Sequence, residues 1–132
     1  MSMSHMFLSV AAVLAGATSS PQSSPHASEP VMVVVEVPIP HGMPRERIVE
    51  GMRQTIPQYR SVPGLVRKSF TVADKNFGGI YLFADRASAD AWFNDAWRVR
   101  IRTTYGADAN VTYYSTPIIL DNSPPPAPFL AK

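Results

Sequence analysis

The segment that most constrains this chain is Val31–Val37, VMVVVEV. β-Branched residues lose side-chain freedom in a helix and pack well on a pleated surface, so the run reads as a strand. Side chains on a strand alternate between two faces, yet six of these seven positions are apolar. A strand with one wet face would carry a polar residue at every second position. This one needs cover on both sides. Pro38 and Pro40 end it, because proline lacks the N–H that a sheet ladder requires.

The next segments give that strand its neighbours. Pro44 suits a first helical position. Ile48, Met52, Ile56 and Tyr59 then follow at helical spacing, with Arg45, Glu46, Glu50, Arg53 and Gln54 on the wet side. Gly51 and Pro57 weaken this helix, which is expected to end or kink near Pro57. Ser61–Gly64 reads as a turn, Leu65–Ala73 as a strand, Asp74–Phe77 as a hairpin loop and Gly78–Ala84 as the next strand. If the hairpin pairs Phe70 with Tyr81, then Lys68, Phe70, Tyr81 and Phe83 share one face; a slip of one residue separates them. Asp85 is the expected N-cap of a second helix, Arg86 to about Thr104, which Asn94-Asp95 can divide and Gly106 can end. Trp92 and Ala96 form one of its stripes; Phe93, Trp97, Ile101 and Tyr105 form another. Val111–Leu120 is the last strand, with Pro117 marking an edge or a bulge.

The order β-α-β-β-α-β is the split βαβ, or ferredoxin-like, α+β motif: a four-stranded antiparallel sheet with both helices on one face. The helices cover only one side of a first strand that needs two. The domain, residues 31–122, is also small for independent stability. Two sheets packed face to face answer both demands, so the expected partner is a second copy of the chain, in a C2 homodimer through the sheet faces.

The ends lie outside this core. All twelve Lys and Arg residues fall from Arg45 onward. Within the basic-free stretch, Phe7–Ala17 is an apolar run too short to cross a bilayer, which takes about 20 residues. It has the length of a signal-peptide core, and Ala15-Gly16-Ala17 offers an A-x-A cleavage site. Residues 1–17 therefore predict export to the periplasm or outside the cell, despite a leading segment without Lys or Arg. Uncleaved, they would be an N-terminal extension of a cytoplasmic protein. Residues 18–30 are a Ser/Pro-rich linker, and residues 123–132 a Pro-rich tail inclined to polyproline II.

Composition excludes several kinds of chemistry. The chain has no cysteine, which rules out disulfides, thiolate metal sites and cysteine nucleophiles. Acids and histidines show no metal-ligand spacing. Gly78-Gly79 opens a strand and does not lead into a helix, so there is no phosphate loop. A net charge of +2 is too small to argue for nucleic acid. RNA-recognition motifs share the element order, but Gly79 and Leu82 stand where that motif wants aromatics, and the first strand has none to stack a base.

Several segments together carry a resemblance. They are Tyr59-Arg60-Ser61-Val62-Pro63-Gly64-Leu65-Val66-Arg67-Lys68-Ser69-Phe70, then Gly78-Gly79-Ile80-Tyr81-Leu82-Phe83, then Trp97-Arg98-Val99-Arg100-Ile101-Arg102 with Tyr105-Gly106, and Val111-Thr112-Tyr113-Tyr114. In this order they resemble the dimeric α+β barrel superfamily and, within it, the YdhR-type monooxygenases, relatives of the antibiotic biosynthesis monooxygenases. The resemblance spans residues 31–122. It implies a dimer, a pocket between sheet and helices, and oxidation of a small aromatic or polyketide-like molecule by O₂ with no cofactor. The deprotonated substrate supplies the electron, a polar group stabilises the anion, and apolar walls exclude water. Haem-degrading relatives use a histidine on the second helix. Here the histidines are His5, His26 and His41, so haem is not expected.

Against that frame, Lys68 interrupts an apolar strand face and is the candidate cation for an enolate or phenolate; otherwise it reaches water or pairs with Glu36. Arg100 sits at the flank of the buried stripe and is the second catalytic candidate, with an ion pair as its alternative. Glu36, the one acid of the first strand, is a weaker general-base candidate. Phe70, Tyr81, Trp92, Trp97 and Tyr113 are the candidate substrate-binding aromatics, each also a natural core residue. With no matched acid–base pair in view, a non-catalytic dimeric module that binds a small ligand is the alternative function.

Overall fold

In the computed structural model the structure describes residues 29–124. The expected leader at 1–17, nearly all of the linker at 18–30 and most of the tail at 123–132 lie outside the described residues. The elements run β1 (Val31–Pro38), α1 (Arg45–Arg60), β2 (Leu65–Val72), β3 (Asn76–Phe83), α2 (Arg86–Trp92), α3 (Asp95–Tyr105) and β4 (Asn110–Ser115). The strands form one sheet in the order β2-β3-β1-β4, with every neighbouring pair antiparallel. This is the ferredoxin-like α+β arrangement, with the second helix divided in two.

β1 takes a central place, paired on one edge with β3 and on the other with β4. Its Val31, Val33, Val35 and Val37 are all buried and face the helices. Across from them on β3 stand Phe83, Tyr81, Gly79 and Phe77. Val33 and Phe83 have no exposed surface at all. The opposite face of the sheet carries Met32, Val34, Ile80 and Leu82. Met32, Val34 and Leu82 are half-buried, and Ile80 is 38% exposed.

The hairpin register, which the sequence left open, lies two residues from the Phe70–Tyr81 pairing. Phe70 pairs with Gly79, and Lys68 pairs with Tyr81. A shift of two preserves facing, so Lys68, Phe70, Tyr81 and Phe83 still share the inner side. α1 does not stop at Pro57 but runs three residues further, to Arg60. The ring removes one hydrogen bond on an exposed side of the last turn, where the freed carbonyl is open to solvent. Tyr59 meanwhile packs that turn against Phe70, Tyr81 and Trp92. Pro44 caps α1 in extended geometry, just before the first helical residue.

The second helix divides where Asn94 interrupts it. Phe93 closes α2, and the Asn94 side chain accepts the Trp97 backbone N–H at 2.9 Å to start α3. Asp85 caps α2 in the same way, through the Ser88 N–H at 2.7 Å. Gly106 ends α3 in the left-handed region, at φ 74°. The last strand is shorter than expected. It stops at Ser115, two residues before Pro117, instead of reaching Leu120. Beyond it the chain travels to the opposite edge of the sheet, where Asp121 pairs with Arg67 of β2 at 3.2 Å. Ile118 and Leu120 on that segment are more than four-fifths exposed.

Candidate functional site

A cavity of about 210 Å³ lies between α1, α3 and the inner sheet face. It is below the roughly 300–1,000 Å³ common for ligand sites, so it suits a compact guest. α1 contributes Arg47, Gly51, Thr55 and Tyr59, four residues apart and therefore on one side of the helix. β2 contributes Lys68 and Phe70, and β3 contributes Phe77 and Tyr81. α3 adds Trp97, Ile101 and Tyr105. No carboxylate is among the lining residues.

Lys68 is the chemical centre of this cavity. Its Nζ lies 3.4 Å from the Tyr59 ring centroid, 4.1 Å from Phe70 and 4.5 Å from Tyr81. It reaches them because β2 and β3 pair it with Tyr81 while α1 lays Tyr59 over both. Burial among apolar walls disfavours the charged amine and brings its pKa down from 10.5 to about 7. The ring faces act the other way, since a π face attracts a cation. Near neutral pH both the amine and the ammonium are therefore within reach.

The stem of Lys68 crosses Gly79. A Cβ at that position would stand 2.9 Å from the Lys68 Cε and 3.1 Å from the Tyr81 ring. Glycine here makes room for the lysine to fold inward. The hydroxyls of Tyr59 and Tyr81 lie 3.3 Å apart and share one hydrogen bond. Burial raises the pKa of both phenols, so they stay protonated. One hydroxyl hydrogen of the pair is left to donate to a guest.

Four of the residues singled out in the sequence come together here: Lys68, Phe70, Tyr81 and Trp97. Three lie elsewhere. Arg100 is exposed and does not line the cavity; its charge acts on Tyr59, favouring the ionised phenol against the stronger effect of burial. Trp92 packs behind Tyr59 with ring centroids 5.4 Å apart, outside the cavity. Tyr113 stacks under the Arg86 guanidinium, 4.0 Å from its ring centroid, and against Phe93. Glu36 points to the other face of the sheet and cannot meet Lys68. Sequence reasoning had Tyr59 only as a helix-stripe residue and did not single out Arg47, Thr55 or Tyr105. No sequence signal marked the row Arg47, Gly51 and Thr55, because helical spacing alone does not fix which row of α1 faces the cavity.

Comparison with known proteins agrees with this fold. The fold matches protein SO0527 from Shewanella oneidensis with a TM-score of 0.54 at 18% identity, over 67% of this chain and 92% of that one. It matches NE2512, a Nitrosomonas europaea protein of unknown function, with a TM-score of 0.57 at 13% identity, over 75% and 99%. It also matches a monooxygenase from the gene ActVA-Orf6 of Streptomyces coelicolor, solved in complex with the ligand nanaomycin D, with a TM-score of 0.53 at 14% identity, over 76% and 96%. No curated protein matches the chain. The family model described as "Putative mono-oxygenase ydhR" matches residues 34–116, well over half the chain, and the protein belongs to that family.

Proposed function

We propose that this protein is a cofactor-independent monooxygenase acting on a small, electron-rich aromatic such as a phenol, hydroquinone or anthrone. The observation that carries the reading is the Lys68 amine, held in a box of three aromatic rings with its pKa lowered to about 7. In its neutral form Lys68 takes the acidic proton of the bound guest. As ammonium it then holds the phenolate or enolate. The Tyr59–Tyr81 pair orients the oxygen of the guest. The apolar walls keep water from the anion, which raises its readiness to give an electron to O₂.

The steps balance without a further reagent. The anion passes one electron to O₂, giving an aryloxyl radical and superoxide. The two combine at a ring carbon to a peroxide anion, which takes a proton back from Lys68. The hydroperoxide loses water and leaves a quinone. Per turnover one oxygen atom enters the product, and the other leaves as water with two hydrogens of the substrate.

The reading includes a homodimer. The outer sheet face carries Met32, Val34, Ile80 and Leu82, and among the described residues no helix covers it. Ile118 and Leu120, exposed beside it, supply further apolar surface for a second copy. It also includes export, with cleavage after Ala17. Mass spectrometry of the native protein should then find a mature terminus at Thr18; a terminus at Met1 or Ser2 would contradict it. Among the described residues no helix is long and apolar enough to cross a membrane.

The test of activity is oxygen uptake by purified, metal-stripped protein against phenols, hydroquinones and anthrones, beside Lys68→Met. Uptake that is lost in the variant is expected. Saturable binding of these compounds with no uptake would favour a ligand-binding module.

A further inference from the structure

The cavity has a second cation, and nothing described neutralises it. Arg47, in the first turn of α1, lines the cavity and is exposed at its mouth. It makes no ion pair with a described carboxylate, which is also true of Arg45, Arg60, Arg98 and Arg100, but of these five arginines Arg47 alone lines the cavity. Lys68 lies deep at the other end, beside Tyr59.

Between these ends α1 lines the cavity with Gly51 and Thr55 on the row that joins them, and with Ile48 and Met52 on its apolar flank. A Cβ added at Gly51 would meet nothing within 4 Å, so the space beneath it is open. Glycine inside a helix is less favourable than alanine by about 1 kcal/mol. Nothing packs against this one to explain it. With Thr55 one turn further on, Gly51 forms the roof of a trough that joins Arg47 to Lys68. A trough with a cation at each end and no acid along it fits a guest that is anionic at both ends.

We propose that the guest is an ionisable aromatic that also carries a carboxylate, held by Arg47 at the mouth while its ring lies under Gly51 and Thr55. Arg47 is then the specificity-determining residue. Its guanidinium presents parallel N–H donors that match the two oxygens of a carboxylate, a pairing that a neutral ester cannot reproduce. The inference rests on the reading of Lys68 as the reacting end, but it concerns the opposite end of the guest and is read by binding alone.

The experiment is calorimetric titration of the full chain with a hydroxynaphthoic acid and with its methyl ester at neutral pH. The acid is expected to bind about two- to fivefold more tightly than the ester, the scale of an exposed ion pair. Arg47→Gln should remove that preference by weakening the acid alone, and Arg47→Lys should restore part of it. Gly51→Leu, which fills the trough, should weaken both probes. Equal affinities in the wild type, a preference that survives in Arg47→Gln, unchanged binding in Gly51→Leu, or no binding of either probe would each overturn the proposal. Oxygen uptake measured beside the titration separates the two readings. An Arg47-dependent preference with no uptake would refute the oxygenase and leave this inference standing. Uptake with equal affinities would do the reverse.

Discussion

Gly79→Ala is a small change with a large expected consequence for Lys68. The new Cβ would stand 2.9 Å from the Lys68 Cε. Carbon atoms in ordinary contact keep about 3.5–4.0 Å, so the end of the lysine must move by about 0.6–1.1 Å. It cannot move away from the sheet, because the Tyr59 ring already lies 3.4 Å from Nζ. The open direction is sideways, to the depression at the β2 edge beside Ile56, Arg60 and Val66, which Lys68 also lines. There the amine regains water, and its pKa should climb from about 7 back toward 10.5. We expect a rise of at least about one unit, equivalent to about 1.4 kcal/mol between the two protonation states. The fold should survive, since alanine restricts the unfolded chain by about 0.4–1 kcal/mol more than glycine, which offsets mild crowding. The assay is a carbon NMR titration of lysine Cε. It is tractable because the chain has only Lys68, Lys75 and Lys132. An unchanged Lys68 titration in a folded Gly79→Ala protein would refute the argument that glycine makes room for the lysine.

Other predictions follow from the same residues. If neutral Lys68 is the base, kcat/KM should rise with pH and level off above about 7; a profile flat from pH 5 to 9 would contradict it. The folded pKa of Lys68 lies below its unfolded value, so the unfolded chain binds the extra proton between about pH 7 and 10.5. Stability relative to Lys68→Met should therefore increase with pH across that window, which urea titrations at several pH values would detect. Asn94→Ala removes the cap on the Trp97 N–H and should cost about 1 kcal/mol in chemical denaturation. Ile80→Arg, on the outer sheet face, should convert a dimer to monomer in sedimentation; a monomeric wild type would remove the proposed interface.

How much of this was legible in the sequence depends on which physical constraint each residue feels. The apolar run of β1 announced a strand that needs cover on both faces, and the helices supply that cover on one of them. Lys68 stood out for the converse reason: a charge on an apolar strand face demands an explanation. The hairpin register was open in the sequence; the observed pairing is two residues from Phe70–Tyr81 and keeps the same facing, since facing depends only on parity. The site was harder. Arg100 was placed at the flank of the Trp97–Ile101 stripe, and a flank position can turn either way: Trp97 and Ile101 line the cavity, while Arg100 stays exposed outside it. Tyr113 was read as a pocket aromatic, but β4 is an edge strand, and its inner face meets Arg86 and Phe93 in place of the cavity. Arg47 and Gly51 were invisible because only the way α1 is rotated over the sheet turns that row toward the cavity, and one helix pattern does not fix this rotation.

The central claim is that this chain inserts one atom of O₂ into an anionic aromatic with no cofactor. It is tested most directly by turnover of an anthrone or hydroquinone under isotopically heavy O₂ with metal-stripped protein, followed by mass spectrometry of the product. The account predicts one heavy oxygen atom per quinone formed, abolished by Lys68→Met. Product oxygen drawn from solvent water, or heavy-atom incorporation that persists in Lys68→Met, would contradict it.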